Sequence, residues 1–348
     1  MAPLTLLLVS AADSDPPRPL DYVCFRAIGP ILVDGRLDEA SWRAVPWTAD
    51  FQDIEGYVRS RPRFRTKAKM TWDDSYFYIG AKLEEPHVWG TLTEHDSVIF
   101  QDNDFEVFLD PDGDNHEYYE IEINALNTEW DLFLLKPYRD GGPPRNEWEI
   151  PGLLKAVHID GTLNDPRDLD RGWSVEVAIP WEVLREYAHR PSPPRDGDQW
   201  RVNFSRVEWD ITVKDGTYQK IPNKREDNWV WSPQWAIDMH RPELWGFVQF
   251  STRSPGQDSC LPDETWPARM LLMRVYHAQK LYFAKHNRWA ERLEELRLQD
   301  DFLGDPRARS LTMRPTADGY EASVEVELPR REGPRRCHVR QDSRLWLD

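Results

Sequence analysis

Between residues 66 and 83 the chain alternates side-chain character, turns at Asp73-Asp74 and alternates again: Thr66-Lys67-Ala68-Lys69-Met70-Thr71-Trp72, then Tyr76-Phe77-Tyr78-Ile79-Gly80-Ala81-Lys82-Leu83. A repeat of two sends successive side chains to opposite faces, which a strand satisfies and a helix does not, so the pair predicts an antiparallel hairpin. The same period runs through residues 104–110 and 118–125, with shorter stretches at 31–33, 129–135, 154–159, 173–179, 199–208 and 245–250. Many short strands joined by Gly, Pro and Asp predict an all-β antiparallel sandwich or jelly roll. Helical turns are expected only after Asp38, through Trp42, and at 181–187.

The composition changes after Ser251. Ser254-Pro255-Gly256-Gln257-Asp258 reads as the start of a linker over 253–266, and from Pro267 to about Leu298 no Pro or Gly interrupts a helical pattern. Leu271, Leu272, Val275, Leu281, Tyr282, Trp289, Leu293 and Leu296 recur at helical spacing, which predicts a docking face. The alternation at 321–328, with 337–339 as partner, predicts a small hairpin. The expected division is a signal-like or disordered segment at 1–20, the sandwich at 21–252, the linker, and a helix-plus-hairpin extension at 267–348.

The net charge of -17 would repel a phosphate backbone, so nucleic acid is excluded as an expected partner. The apolar run at residues 4–9, ending Val9-Ser10-Ala11, resembles a secretory leader and predicts a secreted, periplasmic or cell-surface setting. No stretch reaches the roughly 18 apolar residues of a membrane span. Cys24, Cys260 and Cys337 leave two readings open, one disulfide with a free thiol or three thiols. Seventeen tryptophans sit in a chain of mean hydropathy -0.71, a pairing that places some indoles at the surface. Aromatic faces beside acids and amides suit a sugar, whose C–H face stacks while its hydroxyls take hydrogen bonds.

Five blocks in order, 31–42, 70–79, 102–110, 172–181 and 245–250, resemble the family 9 carbohydrate-binding modules. The resemblance implies a sandwich of that type and an oligo- or polysaccharide partner, bound between two aromatics with an acid, an amide and a basic group at its hydroxyls. By position the acid is Glu106, the amide Asn124 and the first aromatic Phe100. Glu122 stands at the basic position, and Met239 falls near the second aromatic.

Trp235, Trp229 and Trp231 in the stretch 228–235 are candidate replacements for that aromatic, with Trp235 favoured, and Trp89 and Trp130 are further candidates for sugar contact. Asp110, Asp112, Asp114 and Glu117 bracket Gly113 in the manner of a calcium loop; oxygen donors without cysteine suit Ca²⁺ as a structural ion. Asp102, Asn103 and Asp104 form a second oxygen cluster. No nucleophile elbow or His-x-x-x-His marks a hydrolase, so the expectation leans to a binding protein of carbohydrate catabolism without catalysis. The alternatives are an O-glycosyl hydrolase of the xylanase kind, drawing on a carboxylate pair, and a protein-interaction module.

Overall fold

The computed structural model describes residues 16–298, 305–328, 333 and 335–348; the leader-like run lies outside the described residues. In chain order the first strands are β1 (Asp21–Phe25), β2 (Gln52–Asp53), β3 (Thr66–Trp72), β4 (Tyr76–Glu84), β5 (Asp104–Asp110), β6 (Tyr118–Asn124), β7 (Glu129–Leu134) and β8 (Pro144–Arg145). There follow β9 (Leu154–Asp160), β10 (Gly172–Pro180), β11 (Gln199–Glu208), β12 (Ile211–Lys214), β13 (Thr217–Lys220), β14 (Asp227–Val230) and β15 (Gly246–Ser251). The extension adds β16 (Thr312–Thr316), β17 (Gly319–Val326), β18 (Arg335–Arg340) and β19 (Leu345–Leu347), and the helices are α1 (Ala40–Ala44), α2 (Trp181–Leu184) and α3 (Trp266–His286).

Two sheets make the expected sandwich. The larger runs β1-β15-β11-β5-β6-β7-β8, with β14 on β11 and β2 on β14; the smaller runs β3-β4-β10-β9. Every pairing in them is antiparallel except β1 with β15. Phe105, Val107, Leu109, Ile121 and Ile123 of the larger sheet meet Met70, Ile79, Val175 and Val177 of the smaller in one core. The β3–β4 turn is built as its sequence requires: Asp73 Oδ1 accepts from the backbone N–H groups of Ser75 and Tyr76. Gly172 opens β10 at φ +137°, where a Cβ would come within 2.0 Å of the Leu83 carbonyl oxygen.

Several expectations are corrected. Residues 31–33 form no strand, and the first strand is instead β1 at Asp21–Phe25, at the end of the larger sheet beside β15. The helix of the extension stops at His286 because Asn287 takes a left-handed cap at φ 52°. Leu281 on it is 51% exposed, outside the docking face. The predicted hairpin is a four-stranded sheet, β16-β17-β18-β19. The expected linker is pinned to the sandwich: Leu261 N–H donates to Gln249 Oε1 at 2.8 Å and Gln199 Nε2 donates to the Leu261 carbonyl at 2.7 Å. Leu244 and Phe247 of the sandwich share a core with Leu271, Leu272, Val275 and Tyr276 of α3 and with Tyr320, Val324 and Val339 of the extension's sheet. Cys24, Cys260 and Cys337 are all free thiols.

Candidate functional site

Since Phe105, Val107 and Leu109 face the core, the alternate residues of β5 must face away from it. Register then aligns them across four strands. Glu106 stands opposite Glu122 on β6 and Ser205 on β11, and Glu122 stands opposite Trp130 on β7. Cross-strand partners share a face, so Trp130, Glu122, Glu106 and Ser205 form one row on the outer side of the larger sheet. Rows on either side add Glu120 opposite Phe108 and Asn124 opposite Asp104.

This acidic floor is deep. Asp104, Glu106, Glu120 and Glu122 are 0%, 6%, 5% and 2% exposed. Burial, reinforced by neighbouring carboxylates, raises Asp104, Glu120 and Glu122 well above the ordinary carboxylate range, and burial foremost lifts Glu106 to about 7. Glu122 Oε2 accepts from the Phe100 backbone N–H at 2.8 Å and so fixes the first expected aromatic beside the floor.

A partly exposed rim surrounds it. Trp130 and Met239 pack against Phe108, Tyr118, Leu132, Leu134 and Trp245, which brings two predicted site residues into one cluster. The His240 ring lies 4.4 Å from that of Tyr138, and its Nδ1 is 2.9 Å from the Tyr118 hydroxyl. On the opposite side Trp209 donates from Nε1 to the Phe100 carbonyl at 2.9 Å, with the Lys220 ammonium 3.7 Å above its ring. Sequence reasoning missed Trp209, although Glu208-Trp209-Asp210 repeats the tripeptide Glu129-Trp130-Asp131.

Other predicted contacts are taken up elsewhere. Asn124, 0% exposed, donates to the Leu92 carbonyl and Asp102 Oδ2 and accepts from the Leu126 and Thr128 N–H groups, so its amide holds a turn and leaves nothing for a ligand. Trp89 is buried, and Trp229 and Trp231 belong to the sandwich core, so none of these three can offer a stacking face. Trp235 is half-buried, but its ring packs on Tyr57 at 5.0 Å and fills the space above Gly56. The oxygen cluster at 102–104 divides: Asp102 accepts from Thr91 and Leu92, Asn103 donates to Glu85 and Glu208, and only Asp104 joins the floor.

At the end of β5, side-chain oxygens of Asp110, Asp112 and Asp114 lie within 4.8 Å of one another. Burial first, then the neighbouring acids, raises Asp110 well above its ordinary value and Asp112 to about 6. An all-carboxylate, charge-strained trio fits a Ca²⁺ ion. Glu117 turns away from the trio to His189, 2.6 Å from its Nε2.

The comparisons with known proteins bear on this sandwich. The family model described as carbohydrate family 9 binding domain-like matches residues 33–249. The chain belongs to that family. Over 157 residues the family 9-like chain is 27% identical to endo-1,4-beta-xylanase C of Paenibacillus barcinonensis, covering 45% of this chain and 12% of that protein. Over 156 residues it is 24% identical to exoglucanase XynX of Acetivibrio thermocellus, again 45% of this chain and 12% of the relative. The chain therefore matches about an eighth of either enzyme's length. Among solved structures, a family 9 carbohydrate-binding module of Caldicellulosiruptor kristjanssonii in complex with cellotriose shares 17% identity and a TM-score of 0.43, covering 70% of this chain and 99% of that one. A family 9 carbohydrate-binding module of the same organism in complex with glucose gives 17% and 0.43, with 68% and 100% covered. No helix among the described residues is long and apolar enough to cross a membrane.

Proposed function

We propose that the outer face of the larger sheet captures an oligo- or polysaccharide without catalysing its cleavage, in an extracytoplasmic role in carbohydrate breakdown. The observation that carries this reading is the in-register row Trp130, Glu122, Glu106, Ser205, flanked by half-buried Phe100 and Trp209. Partly exposed indole and phenyl faces suit the C–H face of a pyranose, and the tip of Glu106 and the rim's polar atoms suit its hydroxyls. The family assignment supports the same reading. Such contacts give modest affinity, because hydroxyls give up water to bind. Calorimetry with cello- and xylo-oligosaccharides tests it: wild type binds one series, and Phe100→Ala and Trp130→Ala lose that binding. Absence of binding across a broad glycan array sinks the proposal.

One observation favours a second reading, hydrolysis. Glu106, lifted to about 7, has the proton affinity of a general acid at neutral pH. Release of reducing sugar that disappears in Glu106→Gln would replace capture by catalysis.

For the loop at Asp110, Asp112 and Asp114 we propose a structural Ca²⁺ ion. Three neighbouring carboxylates, two of them with raised proton affinity, support it. Chelation is expected to lower the unfolding midpoint, and an unchanged midpoint with and without Ca²⁺ would count against it.

A further inference from the structure

We infer that the floor of the outer face holds a divalent cation, coordinated by Asp104, Glu106 and Glu122 with Glu120 alongside, as a site separate from the acidic loop. This goes beyond saccharide capture and does not depend on it. One oxygen from each of the three side chains lies within 4.8 Å of the other two. Oxygens facing each other across a Ca²⁺ ion, each at roughly 2.4 Å, are separated by about that distance.

A second observation comes from outside the trio. Glu120 is 5% exposed and its Oε2 has no hydrogen-bond partner. Asp104 Oδ2 is also without one, while Asp104 Oδ1 accepts from the Val207 N–H. A buried acceptor left without a donor is costly, so Asp104 Oδ2 within the trio, with Glu120 Oε2 one row beyond Glu122, points to a ligand of the floor.

The charge balance points the same way. Among the described residues, no Lys, Arg or His forms an ion pair with any of the four acids. Arg206, the fully buried guanidinium on neighbouring β11, is turned to the opposite side, where Glu85 and Glu208 hold it at 2.7 Å. Four acids in adjacent rows therefore lack a protein counter-charge. With only carboxylate donors, and the Ser205 hydroxyl opposite Glu106, the chemistry selects a hard ion of the Ca²⁺ or Mn²⁺ class over zinc.

Mn²⁺ binding to chelator-stripped full-length protein, read by calorimetry and electron paramagnetic resonance, tests the inference. The loop variant Asp112→Asn should still bind Mn²⁺ and gain thermal stability from it. Glu106→Gln and Glu122→Gln should each weaken the floor site by about tenfold or more, since affinity follows ligand charge. Both are close in shape to the wild type and remove like-charge repulsion, so their melting without metal should match or exceed wild type, which separates lost binding from lost folding. Unchanged Mn²⁺ affinity and stoichiometry in both Gln variants, or no Mn²⁺ binding by Asp112→Asn, would overturn the site. Stabilisation of Asp112→Asn by glucosamine but not by Mn²⁺ would overturn it in favour of an amine ligand. Saccharide binding is measured separately: its absence alongside intact Mn²⁺ binding rejects saccharide capture and leaves the cation site standing.

Discussion

Arg344 Nε donates to Asp114 Oδ2 at 2.7 Å, tying the end of the chain to the acidic loop at the end of β5. The contact is one of a set. The Leu345 N–H donates to the Asp114 carbonyl at 2.9 Å, Asn115 Nδ2 donates to the Ser343 carbonyl at 2.9 Å, and His116 Nε2 lies 2.8 Å from the Asp342 carbonyl. The acidic loop and the docking of β18 and β19 are thereby mechanically linked. Arg344→Ala should cost about 1 kcal/mol, as expected for a half-exposed ion pair, and should accelerate hydrogen exchange in β18 and β19 before the sandwich. Chelation should do the same; exchange confined to the loop would refute the link.

Trp130 and Trp89 should separate binding from folding. Trp130→Ala removes a half-buried rim side chain and should abolish saccharide affinity with a small change in the unfolding midpoint. Trp89→Ala empties a buried position and should cost about 3–5 kcal/mol in chemical denaturation while binding persists in the folded fraction. The reverse pattern would exchange their roles.

Asn124→Ala tests whether the position implied by family resemblance contacts ligand. Its amide makes four internal hydrogen bonds, so truncation should destabilise the protein by roughly 2–3 kcal/mol, with saccharide affinity unchanged below the melting transition. A specific loss of affinity at unchanged stability would restore it as a contact.

Asp131 gives a pH signature. Burial foremost, then nearby acids, lifts it to about 7, and its Oδ2 has no hydrogen-bond partner. In the unfolded chain it titrates near about 4, so between these values the folded state binds the extra proton. Its contribution to stability is complete below pH ~4 and is lost as pH rises to about 7, at no more than ~1.4 kcal/mol per pH unit. Asp131→Asn should gain on wild type across that window in urea denaturation. A difference independent of pH would show that the acid is not held protonated.

Alternation made the sandwich legible because a period of two is a property of the strand itself: β3, β4, β5, β6 and β11 fall within a residue of their predicted limits. Parity does not reveal which face is covered. Trp229 shares its face with Arg206 on the core side, whereas Trp130 shares its face with Glu122 outside, and only the register of distant strands distinguishes them. Asn124 looked available because an amide's partners lie in loops that sequence cannot place. The left-handed cap at Asn287 was a readable stop signal, and the second Glu-Trp-Asp was a readable pointer to the rim. The acidic floor combined two positions carried over from the family, Glu106 and Glu122, with Asp104 of the second oxygen cluster and the unforeseen Glu120, and their convergence needed the β5–β6 register.

The core shared by Leu244, Phe247 and α3 has a practical corollary. Trp266 packs edge-on against Phe247, with the Arg201 guanidinium 3.6 Å from the Phe247 ring centroid, so a cut after Ser251 would bare an apolar surface rather than sever a tether. Unlike a cassette that can be spliced between enzymes, this sandwich carries its own buttress, and recombinant fragments for ligand screening should extend to Asp348.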